Sequence, residues 1–350
     1  SVDIIREVAS SFVNTLWNSY AFFTLYASLD DVDLTQDVPV QERPEIDRWA
    51  LALLHHTVET TTTALDAYDA RKAGQAIESF VDQLSNWYIR RNRRRFWKSE
   101  AGSDKQSAYL TLYQCLETLQ KLIAPFMPFL AEAIYQNLTR AQNHDSPLSI
   151  HMTDWPEAHA QWQDTPLREA TEIVQGVVAL GRAAREESQV RVRQPLSQLL
   201  VRTPTETARA AVSEHESQIL DELNVKSLTF IANDAELVSY RIKPNLPRLG
   251  KRYGKQIPAI REALANAEGS AIAGAQAEGR PITLEVSGQP ITFEPEDLLI
   301  ETESAAGYAC AESSGTLVAL DTTLNDTLLR EGLAREIVRT VQDGRKQAGL

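Results

Sequence analysis

The most informative side chains in this sequence form a run of arginines between aromatic residues. Residues 82–98 read DQLSNWYIRRNRRRFWK, and arginine fills five of the six positions from Arg90 to Arg95. A planar guanidinium group binds two oxygens of a phosphate or a carboxylate at once. The run therefore indicates an anionic partner, either a nucleic-acid backbone or carboxylates of a protein.

Helical periodicity places several of these cations in line with a buried stripe. At about 100° per residue, an arc of apolar side chains runs from Ala73 through Ile77 and Phe80 to Trp87. The continuation of that arc is occupied by Arg91, Arg94, Arg95 and Lys98. Unpaired cations cannot share a dry interior with that arc, because burying such charge is too costly. We therefore expect the helix either to extend past its core or to dock these groups on an anion.

Two interpretations of this stripe stay open from the residues alone. Internal ion pairs with Asp or Glu would satisfy the guanidinium groups, and so would the phosphates of an RNA, for which Arg90 is a further candidate. Candidates for stacking on a base are Trp87, Tyr88 and Trp97, although aromatic residues at helical spacing usually belong to a core.

A second group of cations lies between residues 241 and 255, with no acidic residue among them. Its members are Arg241, Lys243, Arg248, Lys251, Arg252 and Lys255. The stretch joins a predicted strand to a predicted helix, and its glycines would let a phosphate approach the backbone. A solvated basic turn is the alternative. Arg191 and Arg193 form a weaker third group.

Residue patterns of catalytic or metal sites are missing from the sequence. Neither a GxxxxGK[ST] nor a GxGxxG motif occurs, and no histidine pair has the spacing of metal ligands. Cys115 and Cys310 stand far apart and outside any CxxC pair, which argues against a zinc site or a disulfide framework. We expect no catalytic residue and no metal in these residues.

The overall charge restricts the partners further. With 35 Lys and Arg against 48 Asp and Glu, the net charge is −13, so RNA contact must come from local cationic clusters. We expect no membrane association, because no apolar run reaches roughly 18 residues. Cysteine usage fits the cytoplasm. The first residue is not Met and the last residues interrupt a helical pattern, so we expect a fragment of a longer, monomeric protein.

The elements that must position these residues divide the chain into two domains. Residues 1–165 are predicted to form an all-α bundle, because amphipathic patterns recur and strand patterns are nearly absent. Residues 166–350 are predicted to form a connector helix and an α+β domain. Predicted helices cover about 2–28, 44–70, 70–98, 104–124, 128–141, 166–188, 205–222, 247–267 and 325–346. Predicted strands are LSQLLVR, VKSLTFIA, LVSYRIK, a hairpin around Gly288, TESAAGYACAE and GTLVALDTT.

Several of these stretches resemble a known family. The motif DQLSNWYIRRNRRRFW, together with LIAPFMPFLAEAIYQNL and SIHMTDWP, resembles the anticodon-binding helical domain of isoleucyl-tRNA synthetase, a class I enzyme. VRVRQPL, VSYRIKPNLPRLGKRYGK, GYACAE and the final helix resemble the C-terminal region of its longer, eukaryotic-like form. The resemblance covers nearly the whole chain.

The resemblance implies that this part of the enzyme recognises tRNA. The family's HIGH and KMSKS signatures are missing from these residues, so the implied isoleucine–tRNA ligase activity, with its ATP and Mg²⁺, would belong to a missing catalytic domain and not to the fragment alone. Isoleucine tRNA and that catalytic domain are the implied partners. The predicted tRNA-binding residues are Trp87, Arg90, Arg91, Arg94, Arg95, Lys98, Lys243, Arg248, Lys251, Arg252 and Lys255. The alternative is a scaffold whose arginine stripe docks the catalytic domain.

Overall fold

The computed structural model describes residues 6, 9–97, 102–232 and 237–349. The chain forms two compact units, Ser1–Glu169 and Ala170–Leu350, so their division lies four residues after the predicted domain boundary. The first unit is helical and the second combines helices with small sheets, which confirms the predicted order of an all-α domain and an α+β domain.

The first unit is a bundle of long helices with an apolar interior. Pro44 precedes α2, as its fixed backbone angle favours, and Pro128 opens α6. Leu112, Leu116 and Leu119 of the predicted fourth helix are all buried. The helices are α1 (Asn14–Asp30), α2 (Glu45–Asp66), α3 (Ala70–Gln83), α4 (Arg90–Trp97), α5 (Ser103–Ile123) and α6 (Pro128–Tyr135). The described part of this unit also contains the π-helical segments Ala9–Val13, Leu84–Ile89 and Gln136–Arg140.

Chain direction gives the bundle two chemically different ends. The beginnings of α2 and α5 meet the end of α4 at one end, where charged side chains converge. At the other end Phe12, Ile77, Ile123 and Met127 line an apolar cavity of about 290 Å³. The arginine run therefore lies at the polar end of the bundle.

The segment after the bundle lies along one face of α2. The Trp155 indole N–H donates to the Thr62 hydroxyl at 2.8 Å, and the backbone N–H of His159 donates to Nδ1 of His55 at 3.2 Å. His55 is 4% exposed and its ring packs 4.9 Å from that of Trp162. Burial, assisted by the nearby His159, lowers the pKa of His55 to about 4. This segment is thus held by a histidine that the fold keeps neutral.

Within its described residues, the second unit contains three sheets and several short helices. The largest sheet has the order β2-β1-β8-β7, in which β1 and β2 are parallel and the other pairs antiparallel. β3 pairs with β6, and β4 pairs with β5. The strands are β1 (Leu196–Arg202), β2 (Val225–Phe230), β3 (Val238–Pro244), β4 (Ile282–Val286), β5 (Gln289–Phe293), β6 (Leu298–Ser304), β7 (Tyr308–Ser313) and β8 (Thr316–Asp321).

Helices connect and cover these strands. The β4–β5 hairpin has its turn at Ser287 and Gly288, both with positive φ, as predicted around Gly288. Leu249, Ile260 and Leu264 pack with Phe293 in one core of this unit. The helices are α7 (Thr165–Glu187), α8 (Glu206–Glu214), α9 (Glu216–Leu223), α10 (Leu246–Tyr253), α11 (Ile257–Asn266), α12 (Gly269–Ala277) and α13 (Asp326–Gln347).

Four details of the predicted elements are wrong. The predicted helix 205–222 is broken at His215 into α8 and α9, and the helix 247–267 is interrupted by the 3-10 turn Gly254–Gln256. The predicted strand TESAAGYACAE is two strands, β6 and β7, separated by a turn at Gly307 with φ +88°. The helix α12 was not predicted. The predicted start of the first helix at residue 2 lies outside the described residues.

Within the described ranges, none of the helices combines the length and the apolar character that crossing a bilayer demands.

The neutral state of His55 makes the stability of the bundle depend on pH. The unfolded chain takes up a proton near the ordinary histidine pKa of 6.5, whereas the folded chain resists it until pH about 4. The free energy of unfolding should therefore fall, on the order of 3 kcal/mol, as pH decreases from 6.5 to 4. Urea unfolding followed by circular dichroism measures this dependence. His55→Gln should flatten it in that interval, whereas exchanging the exposed His144 for Gln should leave it unchanged; an equal dependence in all three proteins would contradict the assignment.

Candidate nucleic-acid interface

The π-helical segment Leu84–Ile89 changes which side chains of the following helix face the core. A π-helical turn inserts one extra residue, which rotates every later side chain by about 100° around the helix axis. Before the segment, Ala73, Ile77 and Phe80 are buried as the wheel predicts. After it, the buried positions are Asn92 and Phe96, at 3% and 1% exposure.

The prediction that the buried arc continues through the arginines is therefore wrong in its phase. Arg94 is exposed, because the rotation takes it out of the arc. Arg91 is half-buried, and its guanidinium carbon lies 4.8 Å from the centre of the Trp87 ring, a cation–π contact. Arg95 is the member of the predicted stripe whose guanidinium group reaches a polar site inside the bundle, formed by Asp47.

Arg95 and Asp47 form a buried ion pair at the polar end of the bundle. Nη1 and Nη2 of Arg95 donate to the two carboxylate oxygens of Asp47 at 2.8 and 2.7 Å. The Tyr88 hydroxyl donates to the same carboxylate at 2.6 Å, and Asp104 lies 3.0 Å from Nη2 of Arg95. Asp47 is 0% exposed. The pair therefore joins the beginnings of α2 and α5 to the end of α4.

The electrostatics of this site favour its charged form. Burial alone would lower the pKa of Arg95, but the hydrogen bonds and the charge of Asp47 outweigh it and raise that pKa above its ordinary value. Burial, reinforced by the Asp47 charge, also raises the pKa of Tyr88 well above the ordinary range. Asp47 lies in the first turn of α2, where the helix dipole favours a negative charge. Arg95 is thus committed to an internal carboxylate.

The outer face of α4 carries the remaining cations of the run. Arg90, Arg93 and Arg94 are exposed, and Trp97 is 56% exposed. Arg93 and Arg94 lie three and four positions after Arg90, and Trp97 lies four and three positions after them, so the four residues share one helix face. Nε of Arg90 donates to the Asn86 carbonyl at 2.8 Å, which uses one of its donors and leaves its charge at the surface. We call this set, Arg90, Arg93, Arg94 and Trp97, the arginine face.

Two other predicted residues of the first unit lie elsewhere. Trp87 is 6% exposed and packs in the core, where its ring contacts Arg91 rather than solvent. Lys98 lies outside the described residues.

The second unit holds its predicted arginines around one carboxylate. Arg248 and Arg252 lie one turn apart on α10, and they reach the two carboxylate oxygens of Asp297 at 3.2 and 3.1 Å. The Asp297 side chain is 1% exposed, whereas the two arginine side chains are 51% and 50% exposed. Glu296 lies 3.6 Å from Arg248. Each guanidinium therefore keeps donors that face solvent while the buried carboxylate fixes its position.

The predicted lysines of this cluster are placed around it. Lys243 is exposed near the end of β3, and Lys255 is exposed in the turn after α10. Lys251 belongs to α10, but its side chain lies outside the described residues. The structure thus gathers Arg248 and Arg252 at one carboxylate. The arginine face and this cluster belong to different units of the chain.

Titratable groups elsewhere do not assemble into a metal site within the described ranges. No group of three or more His, Cys, Asp or Glu side chains lies close enough together there to hold an ion. Cys115 and Cys310 are both buried free thiols.

Comparisons with known proteins connect this geometry to a family. Residues 47–200 match the family described as the anticodon-binding domain of tRNA ligase. The chain is 45% identical to the isoleucine–tRNA ligase of Deinococcus radiodurans over 347 residues, 99% of this chain and 32% of that protein. It is 44% identical to the enzyme of Thermus thermophilus and 39% to that of Clostridium novyi, over 99% and 100% of this chain and 33% of each relative. The chain is therefore similar, along nearly its whole length, to about a third of the length of these isoleucine–tRNA ligases.

The match to isoleucine–tRNA ligases confirms the resemblance seen in the sequence. It also shows which part of those enzymes the chain corresponds to in length. The chain spans about a third of the length of the curated relatives it matches. The matched domain begins at Asp47, the residue that receives Arg95, and it includes the whole arginine face.

Sequence reasoning missed the residues that organise this site. Asp47 and Asp297 were not recognised as anchors, although an acidic residue in the first turn after Pro44 was a visible signal for Asp47. The sequence indicated Trp97 as a stacking candidate together with Trp87 and Tyr88, but Arg93 was not among the predicted binding residues. The sequence carries no signal that we recognise for the π-helical turn itself.

Removing the charge of Asp47 tests how much the buried pair contributes. Asp47→Asn removes the buried counter-charge of the Arg95 guanidinium and leaves only the exposed Asp104 beside it, so the free energy of unfolding of the first unit should fall by about 3 kcal/mol. Urea unfolding followed by circular dichroism measures the change. Asp37→Asn is the matched control: this carboxylate is 78% exposed and 3.5 Å from Arg43, so less than about 1 kcal/mol is expected. Equal effects of the two substitutions would show that the pair is not an anchor.

Proposed function

We propose that this chain is the RNA-reading part of an isoleucine–tRNA ligase and that the arginine face of its anticodon-binding domain contacts the backbone of isoleucine tRNA. The observation that supports it is the sorting of the arginines. Arg95 is neutralised by Asp47, whereas Arg93 and Arg94 are exposed and form no ion pair with any described residue. Exposed guanidinium groups on a helix are well suited to phosphate oxygens.

The second unit contributes a second RNA contact in this proposal. The charges of Arg248 and Arg252 are balanced by Asp297 and Glu296, but both guanidinium groups keep donors that face solvent, and Lys255 in the following turn supplies an additional exposed positive charge. Because the chain as a whole carries −13, RNA is repelled from most of its surface and attracted only at such clusters. This arrangement favours a small number of local contacts over general nucleic-acid binding.

The chemistry of the ligase would lie outside these residues. Neither HIGH nor KMSKS occurs in the sequence, so ATP, Mg²⁺ and isoleucine are proposed to bind in the part of the relatives' length that this chain does not cover. The chain itself would act in the cytoplasm as a monomeric binding module, with the catalytic domain as its second partner.

The scaffold alternative predicts a different outcome for the same arginines. If Arg94 docked a catalytic domain, Arg94→Glu in a complete ligase would slow isoleucine-dependent ATP–pyrophosphate exchange, a step that needs no tRNA. If it contacts RNA, exchange keeps its rate and aminoacylation falls.

Salt dependence of RNA binding tests the proposal. Arg93→Ala with Arg94→Ala should weaken binding of an isoleucine tRNA transcript by on the order of tenfold, because two charge-assisted hydrogen-bonding groups are removed. The slope of log K against log salt should decrease by about 0.7–0.9 for each phosphate that the variant no longer neutralises. Filter-binding titrations with the 350-residue chain measure both quantities.

The control variant also removes two positive charges, but at the opposite end of the same helical segment. Arg71 and Lys72 are exposed at the beginning of α3, roughly 30 Å from Arg93 along the helix axis. Arg71→Ala with Lys72→Ala should leave the slope unchanged. A decrease in affinity and slope equal to that of the Arg93 and Arg94 variant would mean that net charge, and not this face, governs binding.

A further inference from the structure

The arginine face contains one side chain whose chemistry differs from phosphate binding. Trp97 is a large aromatic residue with 56% exposure, and it ends α4 directly after the arginines. Within α4, Arg93 and Arg94 lie four and three positions before it, so their side chains and the indole ring share one surface. An indole at such a surface is available for stacking on a planar ligand.

The neighbouring aromatic residues show that the exposure of Trp97 is specific to it. Trp87, Tyr88 and Phe96 of the same continuous helix are 6%, 0% and 1% exposed. Phe96 packs edge-on against Phe22 and Tyr109, with ring centres 5.1 and 4.9 Å apart. The bundle thus takes up every other described aromatic ring of this stretch and leaves Trp97 at the surface.

The arginines do not cover the ring. Arg91 stacks on Trp87 at 4.8 Å, whereas no described guanidinium lies over the indole of Trp97. The rotation by the π-helical segment adds Arg94 to this arrangement, because it turns Arg94 outward beside Arg93 and Trp97, which a helix of constant pitch also directs away from the buried arc. A face that joins two exposed guanidinium groups to an open indole has the composition of sites for unpaired RNA, where phosphates are held by cations and bases stack on aromatic rings.

We propose that Trp97 stacks on one unpaired base of the RNA whose backbone the arginines hold. This inference rests on the proposed function and makes it more specific: the arginine face binds a single-stranded segment, such as an anticodon loop, rather than a paired stem. The bases of a duplex are stacked on each other and present no free face to an indole. Discrimination between a loop and a duplex at this face therefore depends on Trp97, while the arginines contribute to both.

The test compares two RNAs and three substitutions in the 350-residue chain. The RNAs are a stem–loop with the anticodon arm sequence of isoleucine tRNA and a fully paired duplex of equal length. Trp97→Leu should weaken binding of the stem–loop by between about fivefold and a hundredfold and leave duplex binding unchanged. Trp97→Phe, which keeps a ring, should restore most of the affinity. Trp17→Phe is the control, because Trp17 is 48% exposed on α1 and already contacts Tyr20.

Tryptophan fluorescence gives a readout that a merely structural role would not move. The stem–loop should quench the emission of the unsubstituted chain, and the quenched fraction should decrease in the Trp97→Phe variant but not in the Trp17→Phe variant. Unchanged quenching in Trp97→Phe, or equal weakening of both RNAs by Trp97→Leu, would overturn the stacking assignment.

The arginine variant separates this inference from the proposed function. If Arg93→Ala with Arg94→Ala weakens binding while Trp97→Leu has no effect on the stem–loop, the backbone contact stands and stacking is wrong. If neither substitution changes the affinity of either RNA, the face does not bind RNA and both proposals fail.

Discussion

The carboxylate of Asp47 is the constraint on which the polar end of the first unit depends. It has 0% exposure and receives two donors from Arg95 and one from Tyr88. A buried charge of this kind is tolerated only when its partners satisfy it completely, and removing one partner leaves the other unpaired. Because the three residues come from α2, the end of α4 and the π-helical segment, the pair fixes the rotation of the arginine-rich helix as well as its position.

This constraint resolves the conflict that the sequence presents. A helix whose buried arc becomes cationic is unstable unless the cations find anions or leave the arc. The chain uses both solutions: Arg95 is paired inside, and the extra residue of the π-helical segment turns Arg94 outward. The exposed residues then form a face to which the rotation adds the Arg94 guanidinium beside Arg93 and the indole of Trp97. The similarity to isoleucine–tRNA ligases and the composition of the face are independent observations, and both support the proposed RNA contact.

Periodicity predicted most of the fold, because the buried face of an amphipathic helix or of an alternating strand appears in the sequence as regularly spaced apolar residues. The residue types Ala73, Ile77 and Phe80 determined the buried side of α3 correctly. The same reasoning failed after residue 84. A helical wheel assumes a constant number of residues per turn, whereas the π-helical turn adds one residue and depends on the packing around it. The helix α12 was missed because its sequence GSAIAGAQA contains two glycines and too few large apolar residues to show a helical period; among its described side chains, Ile272 alone is fully buried, at 3% exposure.

Candidate site residues were predictable by type but not by role. Arginine runs indicate an anion, yet nothing in their spacing distinguishes Arg95, which is neutralised, from Arg93, which is not. Arg185 makes the same point in the second unit: it is 1% exposed, donates to the carbonyls of Arg191, Gln194, Leu223 and Asn224, and ties loop and helix ends together without any ion pair to a described carboxylate. Burial lowers the pKa of Arg185 to about 10. Which group each arginine binds is decided by tertiary contacts, which the spacing of the residues in the sequence does not show.

The most direct measurement is a double-mutant cycle on RNA affinity between the buried anchor and the face that it orients. Affinities for isoleucine tRNA are measured for Asp47→Asn, for Arg93→Ala with Arg94→Ala, and for the combination, at a temperature where all remain folded. If Asp47 acts by orienting these arginines, the combined variant binds no more weakly than the arginine variant alone. Decreases in affinity that add in full would show that the buried carboxylate and the exposed arginines affect RNA binding independently, which contradicts the account.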